Sequence, residues 1–232
     1  MIFFLGSSYA AVTLREAARR RGLKIAEHVD EADLVFVSED TPTNENGERN
    51  LELIEEQLSL VNWKSTTVLT SQVPPGFTRD RARILSNHEL YHQAETLRIE
   101  DGLQRAMYPE MFIVGTEHTD TPLIPAYQEY LEAFDCPIYQ VSYEEAEFAK
   151  IAINAILISQ VETTNMLSAA ADKVGADWAK VTQILRRDSR IGKYCYLTPG
   201  RWQNSKHLLR DYVTLTGINR TRLLDAWSEP KK

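Results

Sequence analysis

Between Tyr143 and Val174 the chain runs without a glycine or a proline, and Gly175 closes the run. No other feature constrains the fold as tightly, because such a stretch reads as one long helix. From Ala149 to Val161 it is apolar nearly all round. A helix apolar on every side must be covered on every side. The residues after Gly175 are too few to do that alone. The run therefore predicts either a helix wedged between two domains or, the preferred reading, a self-association interface forming a homodimer through helix 143–174.

Everything before that helix alternates. Apolar strand patterns at 2–5, 33–38, 66–70, 112–115 and 137–141 are separated by helical patterns at 9–21, 51–61, 78–87, 97–107 and 122–134, with a short strand expected at 24–28. Asp33 to Ser38 is apolar on both faces, as a buried parallel strand requires. Strands alternating with helices through short loops give a parallel, doubly wound sheet. Such sheets take ligands at the carboxyl ends of their strands. That places the loops after Leu5, Ser38 and Thr70 on one rim. The expected fold class is α/β: a Rossmann-like parallel sheet over 1–141, followed by an all-α dimerisation domain over 142–232.

Charge and cysteine content narrow the partners. The formal net charge of -7 and a pI near 5.3 argue against nucleic acid or an anionic membrane. Cys136 and Cys195 permit one disulfide but resemble neither a disulfide framework nor a metal cluster. The opening Met1-Ile-Phe-Phe-Leu-Gly6 has no basic leader and reads as a buried strand rather than a signal peptide. No apolar run approaches the roughly 18 residues of a membrane helix. A cytoplasmic location with no membrane partner is expected.

Seven segments, in order, resemble the UDP-glucose/GDP-mannose (nucleotide-sugar) dehydrogenase family. Leu5-Gly6-Ser-Ser8-Tyr9-Ala-Ala11 is similar to its first glycine loop. Ala32-Asp33-Leu-Val-Phe-Val, with Thr41-Pro42-Thr43 and Gly47, is similar to its fourth-strand motif. Thr70-Ser71-Gln72-Val-Pro-Pro-Gly76 follows. Glu95-Thr-Leu-Arg98 with Pro109 and Ile113-Val-Gly115 is the next. Ala146-Glu147 with Lys150 and Asn154, then Asp188-Ser-Arg190-Ile-Gly192, are the most specific pair. Pro199-Gly200 with Leu208-Leu-Arg210-Asp211 closes the series.

The resemblance implies NAD-linked oxidation of a sugar alcohol in a nucleotide sugar. It implies that Gly6, Ser8, Tyr9, Thr41, Pro42, Ser71 and Gln72 hold NAD. It also implies that Lys150 and Asn154 stabilise an oxyanion, that Asp211 orients water, and that Glu95 belongs to the substrate loop. Arg98 and Arg210 would meet the substrate's charge. Spacing adds that Lys150 and Asn154, at i and i+4, share a helical face. Taken without the resemblance, Lys150 could pair with Glu147. Asp188 and Arg190 would form a local ion pair, and His207 would be partly exposed.

Four departures stand against that background. Ser8 and Ala11 occupy the second and third glycine positions. The segment between Gly22 and Ala32 lacks about 50 residues of the family pattern, leaving Glu27 or Asp30 as the ribose-side acids. The second nucleotide-binding domain that the resemblance leads one to expect is not within these 232 residues. His207 stands where the family's catalytic cysteine belongs, with Asn204-Ser205 in place of two glycines, and Gln72 replaces a mobile threonine. A histidine cannot readily carry a thioester but can act as a base. Two functions follow: a dehydrogenase limited to one hydride transfer with His207 or Lys150 as base, or a catalytically inactive nucleotide-binding, scaffold or regulatory homodimer.

Overall fold

The structure, a computed structural model, describes residues 1–61, 64–85 and 88–228. The chain forms two compact units, residues 1–42 with 49–150, and residues 43–48 with 151–232.

The first unit is built on a six-stranded sheet in the order β1 (Ile2–Leu5), β2 (Leu34–Val37), β3 (Thr66–Leu69), β4 (Leu90–Gln93), β5 (Phe112–Thr116) and β6 (Ile138–Ser142). β2 and β3 are buried in apolar and β-branched side chains on both faces, as strands covered on two sides must be, while β1 alternates buried Ile2 and Phe4 with partly buried Phe3 and Leu5. Helices α1 (Tyr9–Arg20), α4 (Gly102–Met107) and α5 (Pro125–Glu132) cover one face. There Phe4, Phe36, Tyr91, Tyr127 and Tyr130 form the core. Helices α2 (Glu52–Leu60) and α3 (Phe77–Ile84) cover the other face, over Val37, Leu69 and Leu90.

The expected strand at 24–28 is reduced to one parallel bridge, Ile25 to Ile2. That bridge lies on the edge of β1 away from β2: Ile2 bonds to Lys24 and Ala26, whereas the Leu5 carbonyl accepts from Ser38 N–H. The chain therefore leaves β1 in one direction and returns on the other side. This reversal is the topological switch point of the sheet, and it falls at Gly6 and Ser38.

Two further differences concern β4. The sequence pattern shows no strand at Leu90–Gln93, because its side chains, Leu-Tyr-His-Gln, lack an apolar run; His92 and Gln93 are nevertheless fully buried there. β4 and β5 are also antiparallel, so the sheet is not wholly parallel. The intervening α4 packs on α1 instead of running back along the sheet, and helix begins only at Gly102 rather than at 97. The helix expected at 78–87 runs from Phe77 to Ile84, and residues 86–87 lie outside the described residues.

Helix α6 (Tyr143–Lys173) follows β6 without a break. Its start is a capping box: Glu145 accepts from Ser142 N–H and Oγ at 2.8 Å each, and Ser142 Oγ accepts from Glu145 N–H. Ala146, fully buried, packs against Gly115 of β5.

The second unit comprises the rest of α6, α7 (Trp178–Leu185), α8 (Lys206–Ile218) and α9 (Arg222–Ser228). Its core gathers Ile158, Val161, Trp202, Leu224 and Trp227. Gly47 lies against Leu209 and Val213 of α8, which explains why residues 43–48 belong to this unit. α6 is unevenly covered: Ile158 is fully buried, while Ile156 and Met166 are 60% and 61% exposed. Cys136 and Cys195 are both free thiols. Among the described residues no helix is long and apolar enough to cross a membrane.

Candidate functional site

The rim of the first unit is formed by the loops after β1, β2 and β3. Thr41 Oγ1 donates to the Gln72 carbonyl at 2.9 Å, Thr70 Oγ1 to Ser38 Oγ at 2.7 Å, and Ser71 Oγ to the Val37 carbonyl at 3.5 Å. Thr41, Ser71 and Gln72 therefore stitch two loops together, and Pro42 is exposed beside them.

Two N–H groups at the glycine loop are already engaged. Ser8 is the N-cap of α1, accepting from Ala11 N–H at 3.1 Å and donating to the Ser38 carbonyl. Ser7 N–H donates to Glu39 Oε2 at 2.8 Å. A Cβ on Gly6, whose φ is +118°, would stand 2.6 Å from that same oxygen. The sequence leaves amide donors at this helix start open to an anion. In the structure Ser8 takes the Ala11 N–H and Glu39 takes the Ser7 N–H. A dinucleotide pyrophosphate does not fit the loop in this arrangement: the carboxylate occupies the approach that the missing side chain of Gly6 leaves open.

A second glutamate does the same at α3. Glu147, only 1% exposed, accepts from Gly76 N–H at 2.6 Å and Thr78 N–H at 2.8 Å. Burial pushes its carboxyl up from the ordinary range, opposed by those hydrogen bonds. Glu147 is thus committed to the Val-Pro-Pro-Gly turn and is not primarily a partner for Lys150. Lys150 itself is half-buried at the end of this unit's share of α6.

The expected substrate loop is held by its own backbone and by α1. Leu97 N–H donates to Glu95, so that carboxylate turns back on its own segment. Tyr9 hydroxyl donates to the Ile99 carbonyl at 3.2 Å and its ring lies on Gly102. Tyr9 is therefore a packing element of this loop. Arg98 donates from Nε at 3.0 Å and from Nη2 to the two oxygens of Asp101, and this pairing holds the Asp101 carboxyl below its usual range.

His92, at the carboxyl end of β4, escapes the sequence reading. It is 2% exposed, its Nδ1 has no hydrogen-bond partner, and burial lowers its pKa to about 4. Only its place inside a strand that the pattern does not reveal could have singled it out. A folded pKa below the unfolded 6.5 means the unfolded chain binds the extra proton first. Stability is complete above pH 6.5 and is lost as pH falls toward 4, by up to about 3 kcal/mol. His92→Leu should flatten that slope in urea titrations at pH 7 and pH 4.5; an unchanged slope rules out His92 as its source.

In the second unit Asn154 Nδ2 donates to Asp211 Oδ2 at 2.5 Å, with the two residues 5% and 1% exposed. The loop before α8 is laced to α6. Gln160 accepts from Tyr196 N–H, Thr164 donates to the Tyr196 carbonyl, and Asn165 bonds both the N–H and the carbonyl of Gly200. Trp202, 3% exposed, donates to Glu162 at 2.9 Å and packs on Tyr212 with ring centres 5.1 Å apart. Ser205 then caps α8, so His207 sits exposed in its first turn. Arg210 is buried, and Arg190 pairs with Asp188 at 2.7 Å.

Comparisons with known proteins agree with this layout. Residues 144–226 match the model of the UDP-glucose/GDP-mannose dehydrogenase family, central domain. UDP-glucose 6-dehydrogenase YwqF of Bacillus subtilis is 28% identical over 173 residues, covering 70% of this chain but only 39% of the relative. Among solved structures, a UDP-glucose dehydrogenase from Pyrobaculum islandicum has a TM-score of 0.76 at 21% identity, covering 94% of this chain and 63% of its own. UDP-D-ManNAc dehydrogenase from Pyrococcus horikoshii has a TM-score of 0.79 at 14% identity, covering 98% and 68%. The central-domain match includes the long helix, the Asp188–Arg190 pair and the Asn154–Asp211 pair, and the likeness in fold extends through the sheet; residues 144–226 are thus similar to the central domain of the UDP-glucose/GDP-mannose dehydrogenase family, joined to a sheet of the same fold.

Proposed function

We propose that this chain is a nucleotide-sugar-binding protein of the dehydrogenase family that does not carry out the thioester oxidation, and that it works as a scaffold or regulatory homodimer. The observation that carries the reading is the loop 196–207. Where the resemblance implies two glycines and a catalytic cysteine, this chain has Asn204-Ser205 and His207, with Trp202 in the core and His207 in an α-helical turn. An imidazole offers no sulfur to hold an acyl group between two oxidations. Glu39 supports the same reading, because its carboxylate holds the glycine-loop amide that a dinucleotide phosphate would need. Self-association would use α6, whose Ile156, Met166 and Leu167 are exposed.

A second reading, a single NAD-linked oxidation of a sugar alcohol, is favoured by the Asn154–Asp211 pair, which keeps two of the family's polar positions together. One experiment separates the two. The protein is mixed with NAD and, in turn, UDP-glucose, GDP-mannose and UDP-ManNAc, while absorbance at 340 nm and binding heat are recorded. The first reading expects heat from a nucleotide sugar and no NADH. Steady NADH production establishes the second, and the absence of heat from any nucleotide sugar removes the first. Sedimentation of wild type and Ile156→Glu tests the homodimer, which the charge should dissociate.

A further inference from the structure

The switch point of a doubly wound sheet is where anionic ligands meet backbone N–H groups. In this chain that meeting has taken place within the molecule itself. Gly6 adopts a φ of +118°, and the space a Cβ would fill is taken by Glu39 Oε2. The same oxygen accepts from Ser7 N–H at 2.8 Å and lies 3.4 Å from Gln57 Nε2. Ser8 fastens the loop to the end of β2 through the Ser38 carbonyl. A cavity of about 660 Å³ opens at Gly6, which lines it with Phe4, Arg15, Arg19, Ile25 and Glu27. Arg15 reaches back to the Gly6 carbonyl at 3.4 Å. Two guanidinium groups thus face a cavity at a glycine loop, and a carboxylate holds the loop's free amide.

We infer that Glu39 is a built-in occupant of the glycine loop: its carboxylate stands in for a phosphate and excludes a phosphate-bearing ligand from Ser7 N–H until it withdraws. A carboxylate and a phosphate cannot share one donor, because each repels the other at hydrogen-bond distance. Gly6 is accordingly required by Glu39, not by a bound dinucleotide. The inference concerns the first unit alone and does not depend on whether the protein binds a nucleotide sugar.

The test is calorimetric, on the full chain, with inorganic pyrophosphate and with NAD as separate probes. Glu39→Ala removes the occupant. Glu39→Gln removes its charge but keeps an acceptor. Glu56→Gln changes the net charge equally from an exposed position on α2. Pyrophosphate should bind Glu39→Ala at least about tenfold tighter than wild type, a difference of about 1.4 kcal/mol. Glu39→Gln should fall between them and Glu56→Gln should match wild type. Amide exchange at Ser7 should quicken in Glu39→Ala when no probe is present. Equal affinity of wild type and Glu39→Ala, no binding by either, or an equal gain in Glu56→Gln overturns the inference. Circular dichroism establishes folding of each variant, and Glu39→Gln serves if the alanine variant does not fold. A gain with pyrophosphate but not NAD identifies a phosphate site without dinucleotide recognition.

Discussion

Trp202→Ala is expected to destabilise the second unit by about 4 kcal/mol, the usual cost of emptying a buried aromatic site. Trp202 is 3% exposed and joins Ile158, Val161, Leu224 and Trp227 in that unit's core. Its indole also donates to Glu162 at 2.9 Å, so truncation removes that hydrogen bond as well as opening a void. Trp202→Phe keeps most of the volume and should lose only about 1–2 kcal/mol. Denaturant unfolding followed by far-UV circular dichroism reads both. A loss below about 1 kcal/mol for the alanine variant would mean that the loop 196–207 is not part of the core. The support that this loop lends to the non-oxidising reading would then fail.

The second large effect is at the buried pair. Asp211→Ala should cost about 3 kcal/mol, because it leaves the Asn154 amide buried without its acceptor. Asn154→Ala leaves a carboxylate 1% exposed without that donor and should cost a similar amount. The double variant should cost less than the sum by about 1–3 kcal/mol, since each single change already forfeits the shared hydrogen bond. Additive costs would show that the 2.5 Å contact carries no energy. Asp211→Asn separates stability from function. It keeps the volume and one oxygen acceptor, so a stable variant with weakened nucleotide-sugar binding would assign the pair to ligand recognition.

Several elements are legible from residue patterns. DLVFVS and TTVLT read directly as buried strands because both faces are apolar or β-branched. Tyr143–Lys173 reads as one helix because nothing in it breaks a helix. β4 is hidden, since burial of Tyr91, His92 and Gln93 arises from neighbours distant in sequence. The motif residues are visible, but their roles are not. Glu147 reads as a neighbour of Lys150 and instead holds two amides of the turn before α3. Arg98 reads as a phosphate clamp and is paired with Asp101.

Local pattern alone determined the α/β alternation and the long helix, because these depend on which side chains recur and at what spacing. Tertiary structure alone decided that Glu39 lies on the glycine loop, that Trp202 fills a core and that Asn154 meets Asp211 across 57 positions of chain. Such pairings depend on which strand ends and helix turns the fold brings together. A carboxylate at the end of one strand carries no mark of the amide it will meet from another.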